Sequence, residues 1–169
     1  MKQRVFGITG WKNSGKTTLV ERLVAEFRRR GRVVSTVKHA HHDFDIDKPG
    51  ADSFRHRAAG ASEVAIVSNR RWALMHELRD EPEPPLADIL ARLAPCDLVL
   101  VEGYKREAHP KIEARRLAAR DTAPIWPGDD AIAAIAADHA VTEGGLPCFP
   151  LDDIGAIADF IEARLGIAR

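Results

Sequence analysis

The sequence is poor in cysteine and has no excess of charge of either sign. Cys96 and Cys148 are its only cysteines, too few for the disulfide framework of a small secreted domain. The 25 basic residues (Lys and Arg) equal the 25 acidic ones (Asp and Glu), which argues against a general nucleic-acid binder. Composition therefore favours a reducing compartment and gives no support to a nucleic-acid partner.

Long apolar stretches are also missing. No run approaches the roughly 20 apolar residues that cross a bilayer. The start of the chain, MKQRV, leads into a strand-like segment and lacks the apolar stretch of a signal peptide. We therefore expect a cytoplasmic protein with no membrane partner.

What the sequence does contain, close to its start, is a phosphate-loop pattern. GWKNSGKT at residues 10–17 matches G-x-x-x-x-G-K-[ST] at every fixed position, and it lies between a predicted strand and a predicted helix. Its backbone N–H groups and the helix N-terminus would face a phosphate. The expected nucleotide-binding residues are Gly10, Trp11, Lys12, Asn13, Ser14, Gly15, Lys16, Thr17 and Thr18.

Strand-like and helix-like segments alternate over most of the 169 residues. Short apolar, often β-branched segments predict strands at residues 5–9, 32–38, 63–67, 72–75, 97–101, 111–115 and 131–137. Helical periodicity predicts helices from residue 16 towards Gly31, at 52–59, at 86–93 and at 154–165. This pattern predicts an α/β three-layer sandwich with a mostly parallel sheet, a single phosphate-loop domain over residues 1–169. Extra strand-like material at residues 68–81 indicates an added β-hairpin or an oligomer contact.

A carboxylate follows the most apolar strand. In DLVLVEG, at residues 97–103, Glu102 comes at the strand's carboxyl end, which is the edge where open α/β sheets bind ligands. A phosphate-loop protein that uses Mg²⁺ needs such an acid. We expect Lys16 and Glu102 to be the catalytic residues, and Thr17 and Glu102 to hold Mg²⁺.

The loop after the second predicted strand, HAHHDFDID at residues 39–47, is dense in further ligands. Asp43 and Asp45 are candidate Mg²⁺ ligands, since this cation prefers oxygen. The histidines at 39, 41 and 42 also raise the alternative of a transition-metal site, although no cysteine lies nearby to complete a usual set.

Five basic residues lie within the 11 residues from 105 to 115, just beyond Glu102. Such a group predicts a surface that faces an anionic partner or ligand, the alternative being a solvated charged face. The five residues are Lys105, Arg106, His109, Lys111 and Arg115.

Taken together, these segments resemble the family of molybdopterin-guanine dinucleotide biosynthesis protein B. The resemblance is carried by GWKNSGKTTL, TVKHAHHDFDIDKPGADSFRHRAAGA, RWALMHEL and DLVLVEGYKREAHPKIEARR. It implies a homodimer that binds GTP and Mg²⁺, has weak GTPase activity, and assists the guanylyltransferase that joins GMP to molybdopterin. Some relatives in the wider phosphate-loop class carry a lysine where this chain has Trp11, so their trans-acting role is not assigned to Lys12.

Guanine preference, which the resemblance implies, has a candidate determinant in Asp138. This carboxylate ends the last predicted strand and could accept hydrogen bonds from the N1–H and amino groups of guanine. Adenine lacks that pair of donors, so it would leave a desolvated carboxylate unpaired. The alternative is an aspartate that only caps a helix or a turn.

Two other functions remain open from the sequence. A small-molecule kinase or ATP-dependent ligase would need an acceptor pocket and usually a mobile lid, and no long arginine-rich lid insertion is present. A metal-delivery GTPase would use the histidines of residues 39–42. No residue obviously orients an attacking water, so the sequence indicates a protein that turns nucleotide over slowly, if at all.

Overall fold

The computed structural model of the chain describes residues 3–40, 44–141 and 144–168. Two compact units emerge, one of Met1–His39 with Leu93–Arg169, the other of Ala40–Arg92. The expectation of one domain over residues 1–169 stays a prediction.

The helices and strands fall close to the predicted segments. The strands are β1 (Val5–Thr9), β2 (Val34–Lys38), β3 (Glu63–Val67), β4 (Trp72–His76), β5 (Leu98–Glu102), β6 (Lys111–Arg115), β7 (Ile132–Ala137) and β8 (Cys148–Pro150). The helices are α1 (Lys16–Arg29), α2 (Asp52–Ala58), α3 (Leu86–Ala91) and α4 (Ile154–Leu165), with a short 3₁₀ turn at Trp126–Gly128.

The first unit is built on a six-stranded sheet with the order β2-β5-β1-β6-β7-β8. Every neighbouring pair in it is parallel, so the predicted α/β fold with a mostly parallel sheet is confirmed. All five residues of β5 are buried, as the apolar run DLVLV indicated. Because all strands run the same way, their carboxyl ends form one edge, and β1 and β5 reach it side by side.

Two long helices supply the core of this unit. α1 buries Leu19, Leu23 and Phe27, and α4 buries Ile157 and Ile161, within one apolar cluster with the sheet. Arg30, just after α1, donates to Glu162 of α4 at 2.8 Å. Arg32 donates to the same buried carboxylate at 3.0 Å, so the two helices are joined by charge as well as by apolar packing.

Two details of this unit were not predicted. The second strand begins at Val34 rather than at residue 32, because the Arg32 N–H donates to the carbonyl of Phe27 at 2.9 Å and closes the end of α1. β8 was not predicted because three residues are too few for a periodic pattern.

The second unit contains α2, α3 and the hairpin of β3 and β4. The strands pair antiparallel, with Val67 opposite Trp72 and Ala65 opposite Leu74, which confirms the predicted hairpin. Val67, Trp72 and Leu74 are exposed. The hairpin therefore carries apolar side chains that the described residues leave in contact with solvent.

No helix in the described part of the chain is long and apolar enough to span a bilayer.

Candidate functional site

The phosphate loop connects β1 to α1, as predicted. Gly10 and Gly15 have φ values of +146° and +93°, which glycine adopts readily and other residues rarely do. A Cβ atom at Gly10 would lie 2.5 Å from the carbonyl oxygen of Ala114 in β6. Glycine is therefore required at this position by backbone conformation and by the close approach of β6.

The start of α1 is open to an anion. Its N-cap residue, Gly15, offers no side chain to the first N–H groups of the helix, which carry partial positive charge. The Ser14 hydroxyl lies inside the loop, is buried, and has no hydrogen-bond partner among the described residues. These are features of a loop that fits a phosphate group.

Lys16, the fixed lysine of the motif, folds back over the loop. Its Nζ donates to the carbonyl oxygen of Trp11 at 2.6 Å. Burial lowers the pKa of Lys16, Glu102 opposes this effect, and Lys105 and Lys38 add to the lowering. Three ammonium groups thus share one neighbourhood with a single carboxylate, which favours an anionic ligand.

Thr17 and Glu102 meet as the sequence predicted. The Thr17 hydroxyl donates to Glu102 Oε1 at 2.8 Å, and Lys38 Nζ lies 3.4 Å from the same oxygen. β5 lies next to β1, with Glu102 opposite Ile8, so the carboxylate ends beside the phosphate loop. A buried carboxylate and a hydroxyl at this distance are oxygen ligands of the kind that Mg²⁺ binds.

The other predicted metal ligands lie outside the described residues or in the second unit. Asp43, His41 and His42 lie outside the described residues. Asp45 belongs to the second unit, where both its oxygens accept hydrogen bonds from Arg57, at 2.8 and 2.9 Å, and these bonds lower its pKa. Across residues 3–40, 44–141 and 144–168, no group of three His, Cys, Asp or Glu residues could hold a metal ion. A metal role for Asp43 or Asp45 stays a prediction.

Trp11 and Lys12 occupy the variable positions of the loop. Trp11 Nε1 donates to the carbonyl oxygen of Ala123 at 2.7 Å, and Lys105 Nζ lies 3.8 Å from the centre of a Trp11 ring. Trp11 therefore ties the phosphate loop to two later segments, whereas Lys12 is exposed.

A cavity of about 870 Å³ opens beside the start of α1. Gly15 and Thr18 line one part of it, and Asp138, at the end of β7, lines another. Asp138 is not the N-cap of any helix in the described part of the chain. Its Oδ1 accepts from Leu117 N at 3.0 Å and His139 Nδ1 at 2.9 Å, and the bond to His139 is the main cause of its lowered pKa.

Two arginines that the sequence analysis did not single out also line this cavity, Arg22 of α1 and Arg116 after β6. Arg116 follows directly on a predicted strand. The rule that the carboxyl ends of parallel strands share one edge of a sheet could have found it, as it found Glu102.

Three of the five residues in the predicted cationic group do not form a charged surface. Lys111 is fully buried and its Nζ bonds Asp129 at 2.7 Å and the carbonyl oxygen of Lys105 at 3.1 Å. Burial lowers the pKa of His109 to about 4, with Lys111 adding to the effect, so His109 is neutral at pH 7. Arg115 donates to the carbonyl oxygen of Thr122. These three residues hold the chain around β6, because a strand in the middle of a sheet buries the side chains that flank it.

Comparison with known proteins points to one family. The family model described as molybdopterin guanine dinucleotide synthesis protein B matches residues 5–138. A molybdopterin-guanine dinucleotide biosynthesis adapter protein of Haemophilus influenzae is 41% identical over 94% of this chain and 87% of its own length. Its Escherichia coli counterpart is 36% identical over 93% and 90%. The crystal structure of a MobB protein homologue from Bacillus stearothermophilus superposes with a TM-score of 0.70 at 30% identity, covering 97% of this chain and 99% of that one.

The half-buried His109 predicts a pH dependence of stability. Its pKa is about 4 in the folded chain against an ordinary value of 6.5, so between these limits the unfolded chain binds more protons. The free energy of unfolding should fall as the pH drops from about 6.5 to 4, because protonation would place a second cation beside Lys111, with Asp129 as the carboxylate near both. Urea denaturation from pH 7.5 to 4 should show a smaller loss in His109→Gln than in wild type. His56→Gln, at an exposed position of α2, is the control and should keep the wild-type slope. Equal slopes in all three proteins would contradict the prediction.

Proposed function

The chain belongs to the family of molybdopterin guanine dinucleotide synthesis protein B, and we propose that it is a GTP-binding adapter for that synthesis. In this proposal it binds GTP with Mg²⁺, hydrolyses it slowly, and assists the guanylyltransferase that attaches GMP to molybdopterin. Its relatives in Haemophilus influenzae and Escherichia coli are named as adapter proteins of the same pathway. Family membership also favours this function over a kinase, a ligase or a metal-delivery GTPase.

One observation supports the nucleotide above all others, namely the contact between Thr17 and Glu102 at the mouth of the phosphate loop. A hydroxyl from the loop and a carboxylate from the neighbouring strand are the two protein ligands that a nucleotide-bound Mg²⁺ uses in this class of site. Bound Mg²⁺ would neutralise charge between the β- and γ-phosphates. Lys16 would exchange the Trp11 carbonyl for a phosphate oxygen, which costs one hydrogen bond and forms a stronger, charge-assisted one.

The proposal limits hydrolysis to a slow side reaction. Fast phosphoryl transfer needs a group that orients the attacking water, in addition to groups that stabilise charge. Lys16, Lys38 and Lys105 supply positive charge, but lysines donate protons and do not accept one from water at neutral pH. The site as described is suited to holding a nucleotide more than to consuming it.

Guanine selection is assigned in this proposal to Asp138. Its Oδ1 already accepts two hydrogen bonds, which fix the orientation of the carboxylate at the wall of the cavity. Its lowered pKa keeps it ionised. A carboxylate held in this way can accept the N1–H and amino protons of guanine through Oδ2 and Oδ1.

Homodimer formation is part of the proposal and is supported by the hairpin of β3 and β4. Neither strand pairs with a further strand among the described residues, and Val67, Trp72 and Leu74 expose apolar side chains on it. Open strand edges and exposed apolar side chains are features of surfaces that other chains cover.

Sedimentation velocity can test the assembly. The chain alone should sediment as a dimer, and Trp72→Lys should shift it towards the monomer because a charge would be buried in the interface. Adding the guanylyltransferase from the same organism should produce a larger complex. A wild-type chain that remains monomeric at tens of micromolar would contradict the dimer, and failure to form the complex in any nucleotide state would contradict the adapter role.

Calorimetric titration with GTP, with and without Mg²⁺, tests the nucleotide site. Lys16→Ala should weaken GTP binding by at least about tenfold, since a charge-assisted contact contributes about 1.5–3 kcal/mol. The variant should still fold, because the one hydrogen bond of the Lys16 side chain among the described residues is to a loop carbonyl. Unchanged affinity would contradict the phosphate-loop assignment.

Glu102→Gln is the companion variant in the same titration. It keeps the size of the side chain and a carbonyl acceptor for Thr17 while removing the charge. We expect its affinity for GTP without Mg²⁺ to be equal to or higher than that of wild type, and the gain on adding Mg²⁺ to be lost. A full Mg²⁺ effect in this variant would assign the metal to other residues.

Asp138→Asn tests the choice of base. The amide replaces one acceptor with a donor, so the preference for GTP over ATP should fall about tenfold or more. Affinity for ATP should hardly change, because the phosphate contacts remain. Competition of both nucleotides against one fluorescent analogue measures the ratio directly, and Asp152→Asn, at another residue that lines the cavity, is the control. A wild-type ratio in Asp138→Asn would mean that another group reads guanine.

A further inference from the structure

Arg116 lies against the phosphate loop from the side opposite Glu102. A Cβ atom built on Gly15, the N-cap residue of α1, would be 2.7 Å from Arg116 Nε and 3.0 Å from its Cζ. The guanidinium group therefore rests directly on the residue whose following N–H groups open towards an anion. Arg116 is the residue after β6, and β6 pairs with β1 along the strand that leads into the loop.

The side chain of Arg116 has no role in holding the fold that the described residues reveal. It forms no hydrogen bond or ion pair among them, in contrast to Arg115, which bonds Thr122, and to Arg30, which bonds Glu162. It is only partly exposed. A guanidinium is always charged and presents several donors in a planar fork that matches phosphate oxygens.

Its position relative to the cavities indicates what it faces. Arg116 lines the large cavity together with Thr18 and Asp138, and it also lines a narrow space together with Trp11 and Ser14 of the loop. It is thus at the boundary between the phosphate loop and the cavity beside it. The buried Ser14 hydroxyl, which lacks a partner among the described residues, belongs to the same boundary.

The strand order places the site residues on two sides of the phosphate loop. β5, which delivers Glu102, flanks β1 on one side, whereas β6 and β7, which deliver Arg116 and Asp138, lie on the other. A nucleotide whose β-phosphate occupies the loop must place its metal-binding γ-phosphate near Glu102 and its nucleoside towards Asp138. Arg116 then lies beside the phosphate that is attached to the nucleoside.

We propose that Arg116 is a nucleotide-binding residue that contacts the α-phosphate and so sets affinity for guanine mono-, di- and triphosphates alike. This rests on the nucleotide site of the proposed function. It differs from the role of Lys16, which acts on the β- and γ-phosphates. As a consequence, the contact with Arg116 would contribute about equally to the affinity for GTP and for GDP, the product of hydrolysis.

The test compares GTP, GDP and GMP as competitors of one fluorescent guanine nucleotide. Arg116→Ala should weaken all three by the same factor, about 10-fold to 100-fold, the usual loss for a charged hydrogen bond. Arg116→Lys should recover part of the loss, because the ammonium restores the charge but not the planar fork. Arg120→Ala, an exposed arginine of the same loop, should match wild type. Thermal unfolding without nucleotide should be the same for all four proteins, and if Arg116→Ala unfolds, Arg116→Lys carries the test with a smaller, equal loss for the three ligands.

Two results would overturn this inference without touching the proposed function. One is wild-type affinity of Arg116→Ala for all three nucleotides while Lys16→Ala loses GTP. The other is a loss confined to GTP, which would place Arg116 at the γ-phosphate. If the wild-type chain binds none of the guanine nucleotides, the proposed function fails, and the role of Arg116 fails with it.

Discussion

The close approach of the phosphate loop to β6 is the constraint on which the rest of the site depends. The carbonyl oxygen of Ala114 lies so near Gly10 that a single methyl group would not fit between them. This contact ties the start of the loop to β6. The side chain of Arg116, the residue after β6, occupies the space that a Cβ atom on Gly15 would need. Gly10 is therefore in contact with β6, and the positive φ values of Gly10 and Gly15 give the loop its concave form and leave the first N–H groups of α1 open.

The parallel sheet then distributes charge around that loop. Its strands all end at one edge, so every side chain that follows a strand is delivered to the neighbourhood of the phosphate loop. Glu102 arrives on one side with Thr17, Lys16 and Lys38 near it, and Asp138 and Arg116 arrive on the other. A single direction along the sheet, from β5 to β7, thus leads from the side of the loop that carries Glu102 to the side that carries Arg116 and Asp138.

Several buried charges serve the scaffold and not a ligand. Glu113 of β6 accepts from the backbone N–H groups of Ile125 and Trp126, while Lys111 pairs with Asp129. The segment fixed in this way begins two residues after Ala123, whose carbonyl accepts from Trp11 in the phosphate loop. Trp11 thereby connects the phosphate loop to a segment that the buried charges of β6 hold in place. Their hydrogen bonds help to order the loop.

Local patterns in the sequence determined the phosphate loop, its place between a strand and a helix, the hairpin, and the arrival of Glu102 at a strand end. Each of these depends on the periodicity or spacing of a few neighbouring residues, or on the rule that parallel strands end together. Only the tertiary structure decided which basic side chains are engaged in the scaffold and which can contact a ligand. Lys105, Lys111 and Arg116 look alike along the chain, yet one lies over a tryptophan, one is buried against Asp129, and one rests on Gly15. The order of strands in the sheet sets these environments through contacts between residues that are remote in sequence, and no local pattern encodes that order.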